Sequence, residues 1–396
     1  DYYSPNAVSI REWGGYAPDG SFVQNIDDGS PLTVYNHCKL VPYNAAAATG
    51  HTWWLIKNHC PKALEFISKT KAGKPQINKE FISDVAEHLP EDFPIAKLAK
   101  ATKKLQTLEG MWQALREDSR IAPNFNHTQT LTGRLSCSNP NMQNVPRAGE
   151  DEDSQVFRKL IAAEAGNRIA VADLDQIELR VLAFYLAKIT KDQALAREFD
   201  KPDADPHTAN AAKWNVKRNV AKTLVFLLIY GGQPNLMVKR KLFSTLAEAE
   251  AAFESVHKSQ PTIKECMSAV VQSVQEKGYV TTLGGRRLYY PDINSRNKYD
   301  RLRAERQCFN ALIQGGARDI IHQLAIDTQE VLDCYGVKVT RMVNIIHDEI
   351  VVECSEWCAD ALVEDLNSVW QARLNLLPGV RVNGDWHHGQ TWYEAK

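Results

Sequence analysis

The sequence carries almost no charge surplus: over 396 residues the formal net charge is −1. That excludes a uniformly basic nucleic-acid coat, so any polyanion must be met by local clusters. Paired cysteines are missing too. The 8 Cys are scattered without a CxxC pair, and Cys354 and Cys358, four apart, have no His or second pair nearby to complete a zinc site. They read as reduced thiols of an intracellular, soluble protein. No apolar run reaches the length of a membrane span, no signal peptide opens the chain, and no internal repeat is evident. The first residue is Asp1 rather than Met, which points to a piece of something longer.

What is present is ordinary in bulk: 44% apolar and 24% charged residues, with length for about two or three domains and a large core. Three clusters of cations stand out. They are Lys97, Lys100, Lys103 and Lys104; Lys213, Lys217, Arg218 and Lys222; and Lys239, Arg240 and Lys241. Each taken alone is also what a solvated helix face looks like.

Residues 1–50 are rich in turn formers and yield no element. From about His51 to Glu117 the pattern is helical, with apolar faces at Trp53–Ile56 and Leu64–Ile67 and one amphipathic helix from Pro94 to Arg116. A loop rich in Asn, Ser and Pro is expected from Pro123 to Arg147. The run Arg168 to Ala172 suits a buried strand ending at Asp173, with a helix taking over near Gln176. Helices then dominate from Thr208 to about Lys277, broken at Pro261. Gly284-Gly285 sits in a loop or hairpin, and Arg303 to Cys334 is helix interrupted at Gly315-Gly316. Two strand-like runs, Met342–Ile346 and Ile350–Cys354, flank His347-Asp348-Glu349, the pattern of a hairpin with acids at its tip. A closing helix from Glu364 to Leu376 and a polar tail finish the chain.

Arg218, Lys222, Phe226 and Tyr230 stand four apart, so a helix gathers them into one stripe. Two cations followed by two aromatics suit a surface that holds a polyphosphate at one end and a flat ring at the other. Asp173 and Asp348 sit at the ends of strands that, once paired, bring both carboxylates to one sheet edge. Two acids converging there call for a counter-cation, and a pair of Mg²⁺ ions is economical because hard cations prefer oxygen and keep positions for phosphate. Together these features outline a phosphoryl-transfer site. A competing reading takes Asp173-Leu174-Asp175 as a D-x-D metal motif of nucleotide-sugar glycosyltransferases; it leaves Asp348 and the stripe unexplained.

Several blocks resemble those of family A (polymerase I-like) DNA polymerases. The stretch 218–231 resembles R-x3-K-x3-F-x3-Y-G, Asp173 to Arg180 resembles D-Y-S-Q-I-E-L-R, and His347-Asp348-Glu349 resembles the second acidic motif. Thr132 to Ser136 with Pro140 to Pro146 resembles T-G-R-L-S…P-N-L-Q-N-I-P. Thr282 to Arg287, Glu305-Arg306 with Phe309-Asn310, and Gln314-Gly315 follow in order. The resemblance covers about residue 95 onward.

It implies an α+β right-hand polymerase fold with an antiparallel palm sheet, mostly helical fingers and a helical thumb. The implied divisions are 1–122 for the thumb-like region, 123–189 and 301–396 for the palm, and 190–300 for the fingers. It implies a template-directed DNA polymerase that adds dNTPs to a primer 3′-OH by two-metal-ion transfer. Asp173, Asp348 and the Leu174 backbone carbonyl would hold two Mg²⁺ ions, with Mn²⁺ able to substitute, and Glu349 would be the supporting acid. Arg218, Lys222 and His207 would bind the triphosphate, Lys222 also protonating the leaving pyrophosphate. Phe226, Tyr230, Gly231 and Gln176 would complete the nucleotide pocket, with Glu178 as the gate against a ribose 2′-OH.

Arg134, Gln143, Asn144, Arg286, Arg306, Asn310, Gln314 and His347 would contact primer–template DNA, with Lys103 and Lys104 on its phosphates. Three departures from the family pattern are expected to matter. Asp175 stands where Ser is usual, Gly316 and Arg318 replace small or hydroxyl residues, and Pro206 replaces Ile. No acidic cluster for a proofreading exonuclease precedes the blocks; that activity is lacking or lies upstream of Asp1. The expected working form is a monomer away from membranes, in a bacterial or phage-infected cytoplasm or an organelle matrix, with upstream domains or a processivity factor left open. A catalytically silent polymerase-fold DNA-binding subunit and a relative that makes or copies RNA remain as alternatives.

Overall fold

The computed structural model describes residues 14–16, 22–24, 68–69, 75–76, 95–146, 152–201, 204–230, 232, 234–239, 242–373 and 376–396. The expected apolar faces at Trp53–Ile56 and Leu64–Ile67, the residues Gly231, Arg240 and Lys241, and the side chains of Lys97, Lys100, Lys103 and Lys239 lie outside what is described. The chain divides into two compact units, Asp1–Gln113 and Ala114–Lys396.

In the first unit, β1 (Gly14–Tyr16) pairs antiparallel with β2 (Phe22–Gln24), and β3 (Ser68–Lys69) with β4 (Pro75–Gln76). These short pairs were not legible as apolar alternation, and the second falls inside a region whose pattern predicts helix throughout. Helix α1 (Ile95–Gln113) matches the expected amphipathic helix.

The second unit opens with β5 (Asn124–Asn126) pairing antiparallel with β6 (Ser136–Ser138), followed by a 3-10 turn at Met142–Asn144. The stretch predicted as loop is thus a small hairpin with a helical turn. Then come α2 (Glu152–Leu160), β7 (Asn167–Asp173), α3 (Ile177–Ile189) and α4 (Ala194–Glu198). The helical run follows as α5 (Pro206–Trp214), α6 (Arg218–Ile229), α7 (Pro234–Lys239), α8 (Leu246–Ser259) and α9 (Pro261–Lys277). Pro261 sits in the first turn of α9, where its missing N–H costs nothing, and so marks the break. Pro206 holds the same place in α5, whose N-cap is Asp205; the departure from Ile is a favourable helix start.

A hairpin of β8 (Tyr279–Thr281) and β9 (Arg287–Tyr289) turns through Gly284-Gly285. It leads into α10 (Lys298–Tyr335), a continuous helix of 38 residues. The expected interruption at Gly315-Gly316 is corrected. A Cβ on Gly315 would stand 2.8 Å from the Thr282 methyl, and one on Gly316 would stand 2.9 Å from Val181 Cγ1. The glycines run through the helix so that the β8–β9 hairpin and α3 can press against it.

The chain ends with β10 (Thr340–Ile346), β11 (Glu349–Ser355), α11 (Ala359–Ala372) and β12 (Trp386–Gly389). One antiparallel sheet has the order β10-β11-β7-β12. Its inner strands, β7 and β11, are buried on both faces, which is why they read as apolar runs rather than alternating ones. The tail predicted to be polar supplies β12 instead. Trp386 and Trp392 are each 1% exposed, and Trp386 stacks edge-on with Trp370 of α11 at 5.2 Å.

Candidate active site

Strand pairing places the two acidic motifs together. Glu349 lies directly opposite Asp173 in the β7–β11 register, and the Leu174 N–H donates to the Asp348 carbonyl at 3.0 Å. Asp348 occupies the two-residue turn between β10 and β11, where His347 adopts a left-handed φ of 54°. The backbone segments that carry Asp173 and Asp348 therefore meet at one end of the sheet. Among the described residues no three His, Cys, Asp or Glu side chains gather as a metal cage. A divalent ion at this edge would take two carboxylates and complete its shell with a backbone carbonyl, water and phosphate. That donor set, all oxygen and with Asp173 half exposed, fits Mg²⁺.

Glu349 differs in kind from the two aspartates. It is 4% exposed, and both its oxygens are taken. Trp392 Nε1 donates to Oε1 at 2.5 Å, Arg158 lies 3.3 Å from the same atom, and the Lys396 ammonium donates to Oε2 at 2.5 Å. Lys396 also donates to Asp173 Oδ2 at 2.8 Å. Burial alone would lower the Lys396 pKa, but Glu349 and Asp173 outweigh it and hold the ammonium charged. Arg158, Trp392 and Lys396 were not found from sequence, because each reaches Glu349 from a distant segment without local periodicity.

The loop after β7 is shaped by Arg180. Its buried guanidinium donates to the Asp175 carbonyl at 2.6 Å and to the Arg381 carbonyl, and it packs over Phe199 at 4.3 Å. Burial pushes its pKa down to about 10. Asp175 reaches the surface, but partial desolvation by the surrounding protein pushes its carboxyl up, with Asp173 and Asp385 adding to the rise against the pull of Arg180. The extra acid thus couples electrostatically to the carboxylate edge.

The stripe forms as predicted. On α6, Ala221, Leu224, Val225, Leu227, Leu228 and Ile229 are buried, leaving Arg218 and Lys222 exposed and Phe226 half-buried. Tyr230 caps the helix and stacks on Phe226 at 5.6 Å, and His207 of α5 lies 5.9 Å from Phe226. Arg218 Nε donates to Asp205 Oδ2 at 2.6 Å. Burial would raise Asp205, but the bonds from Arg218 and Thr208 outweigh it and bring it down to about 2. His207 is 2% exposed, and burial followed by the charge of Lys222 pushes its pKa down to about 4. It is a neutral imidazole at pH 7, able to offer a hydrogen bond but no charge.

Glu178 joins these parts. Arg134 donates to one of its oxygens and the Tyr230 hydroxyl to the other. Gln314 also hydrogen-bonds Tyr230, whose pKa is raised by burial first and then by Glu178. Residues from β6's approach, α3, α6 and α10 converge here.

Arg306, Asn310 and Gln314 stand four apart on α10 and share one face. The Asn310 Oδ1, Gln176 Oε1 and His207 Nδ1 atoms are buried without a hydrogen-bond partner among the described residues. Such atoms call for a ligand, a water or an ion. Gln143 is buried and its amide donates to the Ile345 carbonyl at 3.0 Å, tying its turn to the β10 edge, while Asn144 is exposed. Arg286 is committed internally: it donates to the Thr132 carbonyl and to Asp319, each at 3.0 Å. Arg318 donates to the Gly133 carbonyl at 2.9 Å, so this departure repacks the same turn. Lys103 and Lys104 belong to the other compact unit, and Lys104 is half-buried.

The family model for DNA polymerase family A matches residues 54–394. DNA polymerase I of Bacillus caldotenax is 36% identical over 311 residues, 74% of this chain and 34% of that protein. DNA polymerase I of Bacillus subtilis is 35% identical over 356 residues, 85% of this chain and 39% of the relative. The thermostable DNA polymerase I of Thermus thermophilus is 33% identical over 340 residues, covering 82% and 40%. This chain thus spans well under half the length of these relatives. Among solved structures, the POL domain of Pol1 from M. smegmatis, in complex with DNA primer-template and dNTP, superposes with a TM-score of 0.75. It is 26% identical, with 89% of this chain and 62% of that one covered.

Proposed function

The chain belongs to DNA polymerase family A and has its right-hand fold, and from that premise we propose that it is a template-directed DNA polymerase. It extends a primer 3′-OH with dNTPs and releases pyrophosphate. The observation that carries this reading is the sheet register that sets Asp173 against the Asp348–Glu349 turn, within the same compact unit as the cationic stripe. In this reading 123–189 and 301–396 form the palm, 190–300 the fingers and 1–122 the thumb side.

Asp173, Asp348 and the Leu174 carbonyl would hold the divalent ions. When bound, Mg²⁺ supplies Lewis-acid activation of the phosphate and lowers the pKa of the attacking hydroxyl. Arg218 and Lys222 present charge to the triphosphate, and neutral His207 donates a hydrogen bond. The Lys222 ammonium would give a proton to the leaving pyrophosphate. Phe226 supports the sugar, Glu178 crowds its 2′ position, and Tyr230 with Gln176 lines the pocket toward the template. Arg134, Asn144, Arg306, Asn310, Gln314 and His347 would read minor-groove acceptors that all base pairs share. Gln143 and Arg286 act through the turns they hold, and Lys103 and Lys104 would add salt-dependent phosphate contacts.

Primer extension with Mg²⁺, comparing dNTPs with rNTPs on DNA and RNA templates, tests the proposal. Extension with dNTPs on DNA supports it; rNTP incorporation of equal efficiency would favour an RNA-making relative. Binding of primer–template without extension would favour a silent subunit.

A further inference from the structure

Two like charges directly opposite each other on neighbouring strands are unfavourable, and Asp173 and Glu349 are such a pair. The Lys396 ammonium lies between them, 2.8 Å from Asp173 Oδ2 and 2.5 Å from Glu349 Oε2. Glu349 does not need this cation for its own balance. It already has the Arg158 guanidinium at 3.3 Å and the Trp392 N–H at 2.5 Å, in a pocket where its side chain is 5% exposed. Two cations against one buried anion leave positive charge over, and the half-exposed Asp173 is where it falls.

We propose that Lys396 is a positioning residue that ties the Asp173 carboxylate to buried Glu349 and attenuates its attraction for divalent cations, so setting the metal concentration at which the site fills. This rests on the reading of Asp173 as a metal ligand. Glu349 then acts as the anchor of Lys396 rather than as a ligand in its own right. A fixed ammonium in contact with one ligand oxygen repels an incoming divalent ion and engages one of the two oxygens that Asp173 can offer. The effect is electrostatic, so it follows the charge at position 396 and not the packing of the stem, which Met reproduces.

The test uses the full chain and Mn²⁺ alone, without DNA or nucleotide, with free Mn²⁺ counted by electron paramagnetic resonance. Wild type, Lys396→Met, Lys396→Arg and Asp173→Asn are compared, with folding checked by circular dichroism. Lys396→Met is expected to bind Mn²⁺ about five-fold more tightly or better, with Lys396→Arg within about two-fold of wild type. Lys396→Gln, also uncharged, stands in if the Met variant fails to fold. Unchanged or weaker binding in the uncharged variants overturns the inference, as does an equal change in Lys396→Arg. If Asp173→Asn binds Mn²⁺ like wild type, the metal-site reading fails and this inference with it. If Lys396→Met tightens Mn²⁺ binding but wild type extends no primer, the polymerase reading fails while the role of Lys396 stands.

Discussion

The Tyr230 hydroxyl donates a hydrogen bond to Glu178, joining the end of α6 to the first turn of α3, just past Asp173. With Arg134 on its other oxygen, Glu178 is held in one orientation. A side chain fixed from both sides can exclude by shape, as a gate against a 2′-OH must. Glu178→Ala should therefore lose discrimination against rNTPs by about 100-fold, the scale on which one group in a pocket separates substrates. Single-turnover incorporation of rNTP against dNTP measures this; unaltered selectivity would remove Glu178 from that role.

Phe226 offers no hydroxyl to a nucleotide. Phe226→Tyr should raise dideoxynucleotide use relative to dNTP by about 10- to 100-fold, since a hydrogen bond to a charged group contributes about 1.5–3 kcal/mol. Competitive chain-termination ratios give the number, and an unchanged ratio contradicts the assignment of Phe226 beneath the sugar.

Asp348 is half-buried in the turn between β10 and β11 rather than part of the core. Asp348→Asn should lower extension by about 10³-fold or more, the scale of losing a developing-charge contact, with primer–template affinity nearly unchanged. Extension assays and DNA binding by anisotropy separate the two effects. Loss of folding or of DNA binding would assign Asp348 a structural role instead.

Stability should fall in mildly acidic solution. His207 and His322 are both pushed down to about 4, chiefly by burial, with Lys222 and Arg318 respectively the next cause. Between pH 6.5 and 4 the unfolded chain carries a proton on each imidazole that the folded chain lacks. The two imidazoles' contribution to stability is therefore lost as pH drops through that window and is constant below it, where carboxylates held down in the fold, such as Asp205, take over the further loss. The loss for a fully shifted His is on the order of 3 kcal/mol. Urea unfolding at pH 7 and pH 5 measures it, and His207→Gln should flatten the dependence. A flat profile in wild type would contradict the buried, neutral state.

Two glycines should respond to alanine with opposite signs. Gly133 has φ +79°, and a Cβ there would sit 2.2 Å from the Arg286 guanidinium. Left-handed strain of about 1–2 kcal/mol adds to displacement of Arg286 from Thr132 and Asp319, so Gly133→Ala should destabilise by about 2–4 kcal/mol. Gly110 lies inside α1 with nothing within 4 Å of a Cβ. Gly110→Ala should stabilise its helix by about 1 kcal/mol. Thermal unfolding of the two variants checks both signs.

The sequence by itself determined the stripe, the acidic motifs and the strand runs that carry them. Arg218, Lys222, Phe226 and Tyr230 share a face because four-residue spacing and a helix allow nothing else, and β7 and β11 announce their burial by unbroken apolar composition. These are local regularities, and a period along the chain is enough to reveal them. Only the tertiary structure decided that Glu349 is enclosed by Arg158, Trp392 and Lys396, and that the tail closes the sheet as β12. It alone showed that Gly315 and Gly316 pass through an unbroken helix because Thr282 and Val181 crowd against them. Each of those outcomes is set by which distant segment arrives at a given surface, and close packing between remote parts of a chain leaves no period for the sequence to display.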